Sequence, residues 1–378
     1  MMKKIFAAAV VAVLVTAGLA PASATATSDK SDNIKKVADL KLGWVSEIAF
    51  QGRWAYAFGE QLSIIDRTSM EVVSTFTCGP LGLGGTEVEI VKPGFIAIDV
   101  YQSCGFEWAV IFIDVRNPRD PRIVSGVEGA SSHTMTAYPG KPIIYSSPNG
   151  CCGDLERGIE RIIDATNPAK PKMYTFTSDG LGCHDVAFVI RKDRKLAACA
   201  GGAETQLWDV SDPLKPKTVA RIPTPQVFFN HSAGFSDDGK LLVVGDEAHG
   251  VNSCTGTPTG ALWFYDVTNP EAPAPRGYYN ISRGAAVSSF WATYDKWCTA
   301  HMYDFKPDTK ILATGWFQGG LNVLDVSDPM RPKELAYYIA DDFKAWGAYW
   351  VDGLIWTSDY GRKGDGGVEV FKVDLGTT

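Results

Sequence analysis

Four of the five histidines in this 378-residue chain sit in related strings. They are Ser132-His133-Thr134, Cys183-His184-Asp185, Asn230-His231-Ser232 and Ala300-His301-Met302. Each is followed four residues later by Ala137, Phe188, Phe235 or Phe305. Imidazole is the commonest protein ligand for Zn, Cu, Fe and Ni. Neutral ring nitrogens on one rigid frame make a metal site with room for water or a small substrate. All-nitrogen donors favour Cu(II) or zinc over calcium or magnesium. His133, His184, His231 and His301 are therefore the candidate metal ligands, with copper preferred and zinc the alternative. Without a metal, the same rings would order water or bind an anion.

The elements that must position these rings repeat along the chain. A short apolar strand ending in Asp recurs at Ser63–Asp66, Ile111–Asp114, Arg161–Asp164, Gln206–Asp209, Trp263–Asp266 and Asn322–Asp325, with a degenerate copy at Glu369–Lys372. Successive spacings are 48, 50, 45, 57, 59 and 47 residues. Five copies continue into an Asp-Pro or Asn-Pro turn: Asn117-Pro118, Asn167-Pro168, Asp212-Pro213, Asn269-Pro270 and Asp328-Pro329. Proline presets φ at a turn's second position, and the preceding Asp or Asn bonds nearby backbone N–H groups. The repeated Asp residues thus read as turn and strand-end caps rather than a row of catalytic carboxylates.

Each unit reads as four strands, best seen at His184–Ile190, Lys195–Ala200, Thr205–Asp209 and Lys217–Ile222. No stretch of the mature chain has a sustained helical period. Four-stranded units of this length are blades of a β-propeller. The string Lys35–Leu40 matches the outermost strand of unit four, and the chain stops after a third strand, Val368–Leu375. The expected fold is all-β: a seven-bladed β-propeller closed by an N-terminal strand completing the last blade. Length alone would suggest about two or three domains, but the repeat consumes the mature chain as one ring.

In such a ring the four histidines open the innermost strands of blades three to six and converge at one mouth of the central channel. Glu87, or else Thr86, falls in the matching slot of blade two. Glu87, Asp185 and Glu247 are the candidate proton-moving carboxylates. Gln318 and Glu247 are candidates to bond the second ring nitrogens. Asp246, Asp304, Trp316, Phe317, Asp359 and Tyr360 belong to the same face, where a packing or turn role is equally open. His249 lies in the loop 246–260 and reads as a surface or lid residue.

The chain's ends and cysteines set the compartment. Lys3 and Lys4 precede an apolar run from Ile5 to Leu19 and small-x-small cleavage sites after Ala24 or Ala26. This is the layout of a secretory signal peptide, and the run is shorter than the ~20 residues that span a membrane. The expected organisation is a signal peptide over 1–26, a short flexible linker over 27–34, and the propeller over 35–378. Export favours disulfides among the eight cysteines. Within-blade pairing gives Cys78–Cys104 and Cys183–Cys199, and Cys254–Cys298 would tie blade five to blade six. Cys151 and Cys152 remain a vicinal pair or free thiols, and a thiolate metal ligand is the sharper alternative.

The formal charge of −7 argues against nucleic-acid or anionic-membrane partners. Gly79–Gly85 resembles a phosphate loop, but it lacks the Lys-Ser/Thr ending and leads into a strand. No Gly-x-Ser-x-Gly elbow accompanies the histidines.

Asp-Val-Ser-Asp-Pro after an aliphatic strand resembles the LVIVD repeat. Gly182-Cys183-His184-Asp185, His231-Ser232-Ala233, Cys298-Thr299-Ala300-His301 and Trp316-Phe317-Gln318-Gly319-Gly320 look like secreted actinobacterial LVIVD-repeat proteins. Ala130 stands where that resemblance implies a cysteine. A remoter similarity is to the selenium-binding, methanethiol-oxidase propellers, which implies copper held by axial histidines. The expectation is an exported, monomeric, metal-dependent oxidoreductase acting on a small molecule. A zinc-dependent hydrolase or lyase and a non-catalytic extracellular binding scaffold are the alternatives.

Overall fold

The computed structural model describes residues 28–78, 85–130, 133–147, 158–248, 254–283, 297–361 and 366–376. The signal-type segment, Ser132, Cys151, Cys152, His249 and most of the glycine-rich string 79–85 lie outside the described residues.

The strands form seven antiparallel sheets, spanning 45–76, 88–128, 134–177, 185–223, 230–279, 303–340 and 345–373. Among the described residues there is no helix. The innermost strands are Val45–Gln51, Val88–Lys92, Thr134–Ala137, Asp185–Ile190, Asn230–Phe235, Tyr303–Phe305 and Ala345–Val351. Each touches the innermost strands of both neighbours, the seventh against the first included. The molecule is a seven-bladed β-propeller.

Closure follows the sequence reading. Ile34–Lys41 pairs antiparallel with Gly367–Val373 and becomes the outer strand of blade seven, with Ile34 opposite Val373 and Lys41 opposite Gly367. The seam packs like the other junctions: Trp356 and Val370 of blade seven share one buried cluster with Ala57 and Ile65 of blade one. The stretch expected as a flexible linker differs. Ser28–Lys30 pairs with the outer strand Lys333–Ala340 and makes blade six five-stranded. That outer strand would otherwise present an open row of N–H and C=O groups. The Asn33 Nδ2 amide then donates to the carbonyls of Leu335 and Asp374, both at 3.0 Å, and ties the segment between blades six and seven.

The repeated aspartates do what turn chemistry asks. Asp66, Asp114, Asp164, Asp209, Asp266 and Asp325 each accept the backbone N–H two residues on, at 2.8–3.0 Å. The Asn or Asp before each of the five prolines does the same at 3.1–3.3 Å. None of them faces the channel mouth where the histidines sit, because these turns join third to fourth strands at the opposite ends of the blades.

Three disulfides have the expected pairings: Cys78–Cys104, Cys183–Cys199 and Cys254–Cys298, with Cα separations of 4.9, 5.1 and 5.5 Å. They fit a chain that matures in an oxidising compartment.

Candidate metal centre

Each histidine enters at or just before the start of an innermost strand, and three of the four are pinned there by the end of the neighbouring strand. The backbone N–H of His133 donates to Ser147 O (3.1 Å), that of His184 to Ala200 O (2.6 Å) and that of His301 to Gly315 O (3.0 Å). His231 lies inside the register shift between Asn230 and Ser232, and the same kind of shift occurs at Ser46 and Trp346 in blades one and seven. A β-bulge re-aims the residue it contains.

These bulged and strand-opening positions are joined by a belt of side-chain bonds to main-chain carbonyls. Ser46 Oγ donates to Thr86 O (2.7 Å), Thr86 Oγ1 to His133 O (2.8 Å) and Thr134 Oγ1 to His184 O. His184 Nδ1 donates to His231 O (3.0 Å), Ser232 Oγ to His301 O (3.0 Å) and His301 Nδ1 to Trp346 O (2.8 Å). Six blade junctions are bridged in this way. The belt assigns the blade-two slot to Thr86 and the blade-seven slot to Trp346.

The rings form a continuous row. Centroids are 4.7 Å apart for His133–His184, 4.3 Å for His184–His231, 4.2 Å for His231–His301 and 4.3 Å for His301–Trp346. Glu247, from the loop after the second strand of blade five, meets the row at its centre. Its Oε2 is 3.2 Å from His231 Nε2 and its Oε1 is 3.5 Å from His301 Nε2. Among the described residues, His231, Glu247 and His301 form the one set of three whose ligand atoms lie within 4.8 Å of one another. His184 stands against His231 on the far side, and His133 follows it.

The belt fixes the tautomers of His184 and His301. A carbonyl only accepts, so the Nδ1 atoms of His184 and His301 carry protons, and their Nε2 atoms hold lone pairs when the rings are neutral. His184 stays neutral: burial, then the neighbouring His133, pushes its pKa down to about 3. Nε2 of His301 and the Glu247 carboxylate are thus two electron-pair donors facing each other. Such a pair needs a cation between its members, either a proton or a metal ion. All three groups are at most 5% exposed, so water offers little relief.

Aromatic rings close one side. Phe317 packs edge-on to His301 at 4.7 Å, in a left-handed backbone conformation (φ 46°) that a non-glycine residue adopts at a cost. Its N–H and C=O both pair with Ala345, which holds the conformation. Tyr360 stacks on Trp346 at 4.6 Å, and Trp44 meets Tyr360 at 5.4 Å.

The other expected residues are placed elsewhere. Asp185 accepts the N–H of Val186 (2.8 Å) and, across the blade junction, that of Ala233 (3.0 Å). Burial pushes its pKa up to about 6 against the pull of those amides. Asp304 likewise accepts Trp350 N–H (2.9 Å). Both carboxylates staple neighbouring blades. Glu87 is buried among acidic groups, with Glu47, Asp99, Asp185 and Glu89 as electrostatic neighbours and the Tyr349 phenol beside Glu47, and burial followed by Glu47 raises its pKa well above the usual range. Gln318 does not serve the second ring nitrogens of His184 and His301, which bond backbone carbonyls instead. Sequence reasoning offered Thr86 as an alternative for the blade-two slot but missed Trp346 and the bonding role of the belt hydroxyls. The signal was present in Ser46, Thr86, Thr134 and Ser232, at or beside the histidine slots, but a hydroxyl bonded to a neighbouring blade has no linear spacing to betray it.

The fold and this row of rings define the class: a β-propeller with a histidine–carboxylate centre at one channel mouth. No protein-family model matches the chain, and no curated protein is similar to it in sequence. Among solved structures it is similar to the β-propeller domain of Cps50 (Swd1) from Myceliophteria thermophila. The TM-score is 0.60 at 11% identity, covering 90% of this chain and 100% of that one. At that identity the likeness carries the fold alone.

Proposed function

We propose that this protein is an exported, metal-dependent oxidoreductase that acts on a small molecule at the histidine centre. The observation that carries the reading is the meeting of His231 Nε2, His301 Nε2 and the Glu247 carboxylate, with the Nδ1 atom of His301 already committed to a carbonyl. Second-ring bonds of this kind orient an imidazole for a metal. His184, held neutral and in contact with His231, supplies a further nitrogen, and His133 lies behind it. A set dominated by nitrogen suits Cu(II), in keeping with the resemblance of the histidine strings to LVIVD-repeat proteins and, remotely, to copper-binding propellers. Copper would supply one-electron chemistry at a site the aromatic wall of Phe317, Trp346 and Tyr360 shields from bulk water. The signal-type N-terminus and the disulfides support export.

One observation favours a second reading. Two imidazoles and one glutamate are also the donor set of hydrolytic zinc sites with an open position. A metal titration of the apo full chain separates the two. The proposal expects saturation at about one Cu(II) per chain, with nitrogen hyperfine structure in the electron paramagnetic resonance spectrum that is altered in His231→Ala and His301→Ala, alongside weaker binding. Tight zinc with weak copper would move the function to hydrolysis. No saturable uptake of either ion would overturn both.

A further inference from the structure

We infer that Thr299 is the positioning residue of the centre: its single hydroxyl holds Glu247 at the imidazole of His301. The inference rests on the metal reading above and adds a residue to it.

Glu247 follows the second strand of blade five, Leu241–Asp246, at the point where a loop begins. A loop carboxylate has conformational freedom to lose before it can serve as a ligand. Here that freedom is removed from both sides by one side chain. Thr299 Oγ1 donates to the carbonyl of Asp246 at 2.7 Å and accepts the N–H of Ala248 at 2.9 Å. These two groups belong to the residues immediately before and after Glu247. The Glu247 N–H itself donates to Phe229 O at 3.1 Å. The backbone is thus anchored on both sides of Glu247, and from it the carboxylate reaches His231 and His301.

Thr299 belongs to the segment that delivers His301. Cys298 is bonded to Cys254, Ala300 N–H donates to Gly260 O (3.0 Å), and His301 N–H donates to Gly315 O (3.0 Å). The hydroxyl thus fixes the separation of two ligands that come from different blades. It is fully buried, so water cannot replace it. Donating and accepting at once needs a hydroxyl: valine keeps the shape and loses both bonds, and serine keeps both bonds.

The test is isothermal titration of the apo full chain with Cu(II) and with Zn(II), for wild type, Thr299→Val, Thr299→Ser and Glu247→Gln. Residues that orient ligands typically change metal affinity by ~10–100-fold. Thr299→Val should lose affinity in that range and reproduce the copper resonance spectrum of Glu247→Gln. Thr299→Ser should stay within about threefold of wild type. Ile64→Val, a core truncation in blade one, controls for lost stability and should bind as wild type does. Should Thr299→Val not fold, Thr299→Ala is measured in its place. Wild-type affinity in Thr299→Val, with Glu247→Gln impaired, overturns the positioning role and leaves the metal reading standing. A wild type that takes up neither ion overturns the metal reading, and this inference with it.

Discussion

Glu247 carries the charge on which the centre turns. It is the group that brings His231 and His301 into one coordination-sized set, so neutralising it without changing its shape should weaken metal binding by at least ~10-fold. Titration of Glu247→Gln checks this, and wild-type affinity would contradict it. Glu160, buried in blade three, makes a separate prediction. It accepts the Cys183 N–H at 2.5 Å and the Ser147 hydroxyl at 3.2 Å, and burial pushes its pKa up to about 8. The folded state therefore holds this proton more tightly than the unfolded chain. The associated stability is full below the ordinary glutamate pKa of about 4.3 and is lost as pH rises through about 8. Glu160→Gln, whose amide can still serve both partners, should remove that slope. Denaturant midpoints at pH 5 and pH 9 should converge relative to wild type, and an unchanged slope would refute the assignment. The histidines were legible in the sequence because they share one strand-opening phase. Glu247 was legible only as one acid among several near the mouth. Thr299 was not, because both its partners are main-chain atoms of another blade. Asp185 stood out by its adjacency to His184 in sequence, whereas the Ala233 amide its carboxylate meets lies in another blade and leaves no mark there.

At the scale of strands and loops, bulges and staples turn a regular ring into a site. The shifts at Ser46, His231 and Trp346 occur where the belt crosses a blade junction, through the hydroxyl of Ser46 and the carbonyls of His231 and Trp346. Periodicity located the strands, to within a residue in blade four, but a bulge is a break in periodicity and leaves no such trace. The disulfides were legible because cysteines beside the same strand ends can only meet their neighbours. Cys254–Cys298 closes a separation of 44 residues, worth about 4 kcal/mol on the chain-entropy account. Replacing both cysteines with serine should lower the unfolding free energy by roughly that amount. It should also loosen the segment that carries Thr299 and His301, so metal affinity should fall together with stability. Loss of stability with unchanged affinity would separate the staple from the site.

At the scale of the molecule, ring closure ties the ends of the chain together. Ile34–Lys41 supplies the outer strand of blade seven, and Ser28–Lys30 covers the edge of blade six. Residue repeats revealed the closing strand, whereas the extra one carries no repeat signature and uses an edge that only the folded ring presents. Removing residues 28–41 should leave blade seven three-stranded with a bare edge. Size-exclusion chromatography and calorimetry should then show association and a broadened transition. A monomer with wild-type melting behaviour would contradict the closure account.

We propose that the four-histidine row and Glu247 hold a metal ion. Elemental analysis of the full protein purified from its native compartment tests it most directly. About one copper per chain is expected in the wild type and little in His301→Ala or Glu247→Gln, both still folded. Wild-type protein without copper or zinc, as stable as either variant, would contradict it.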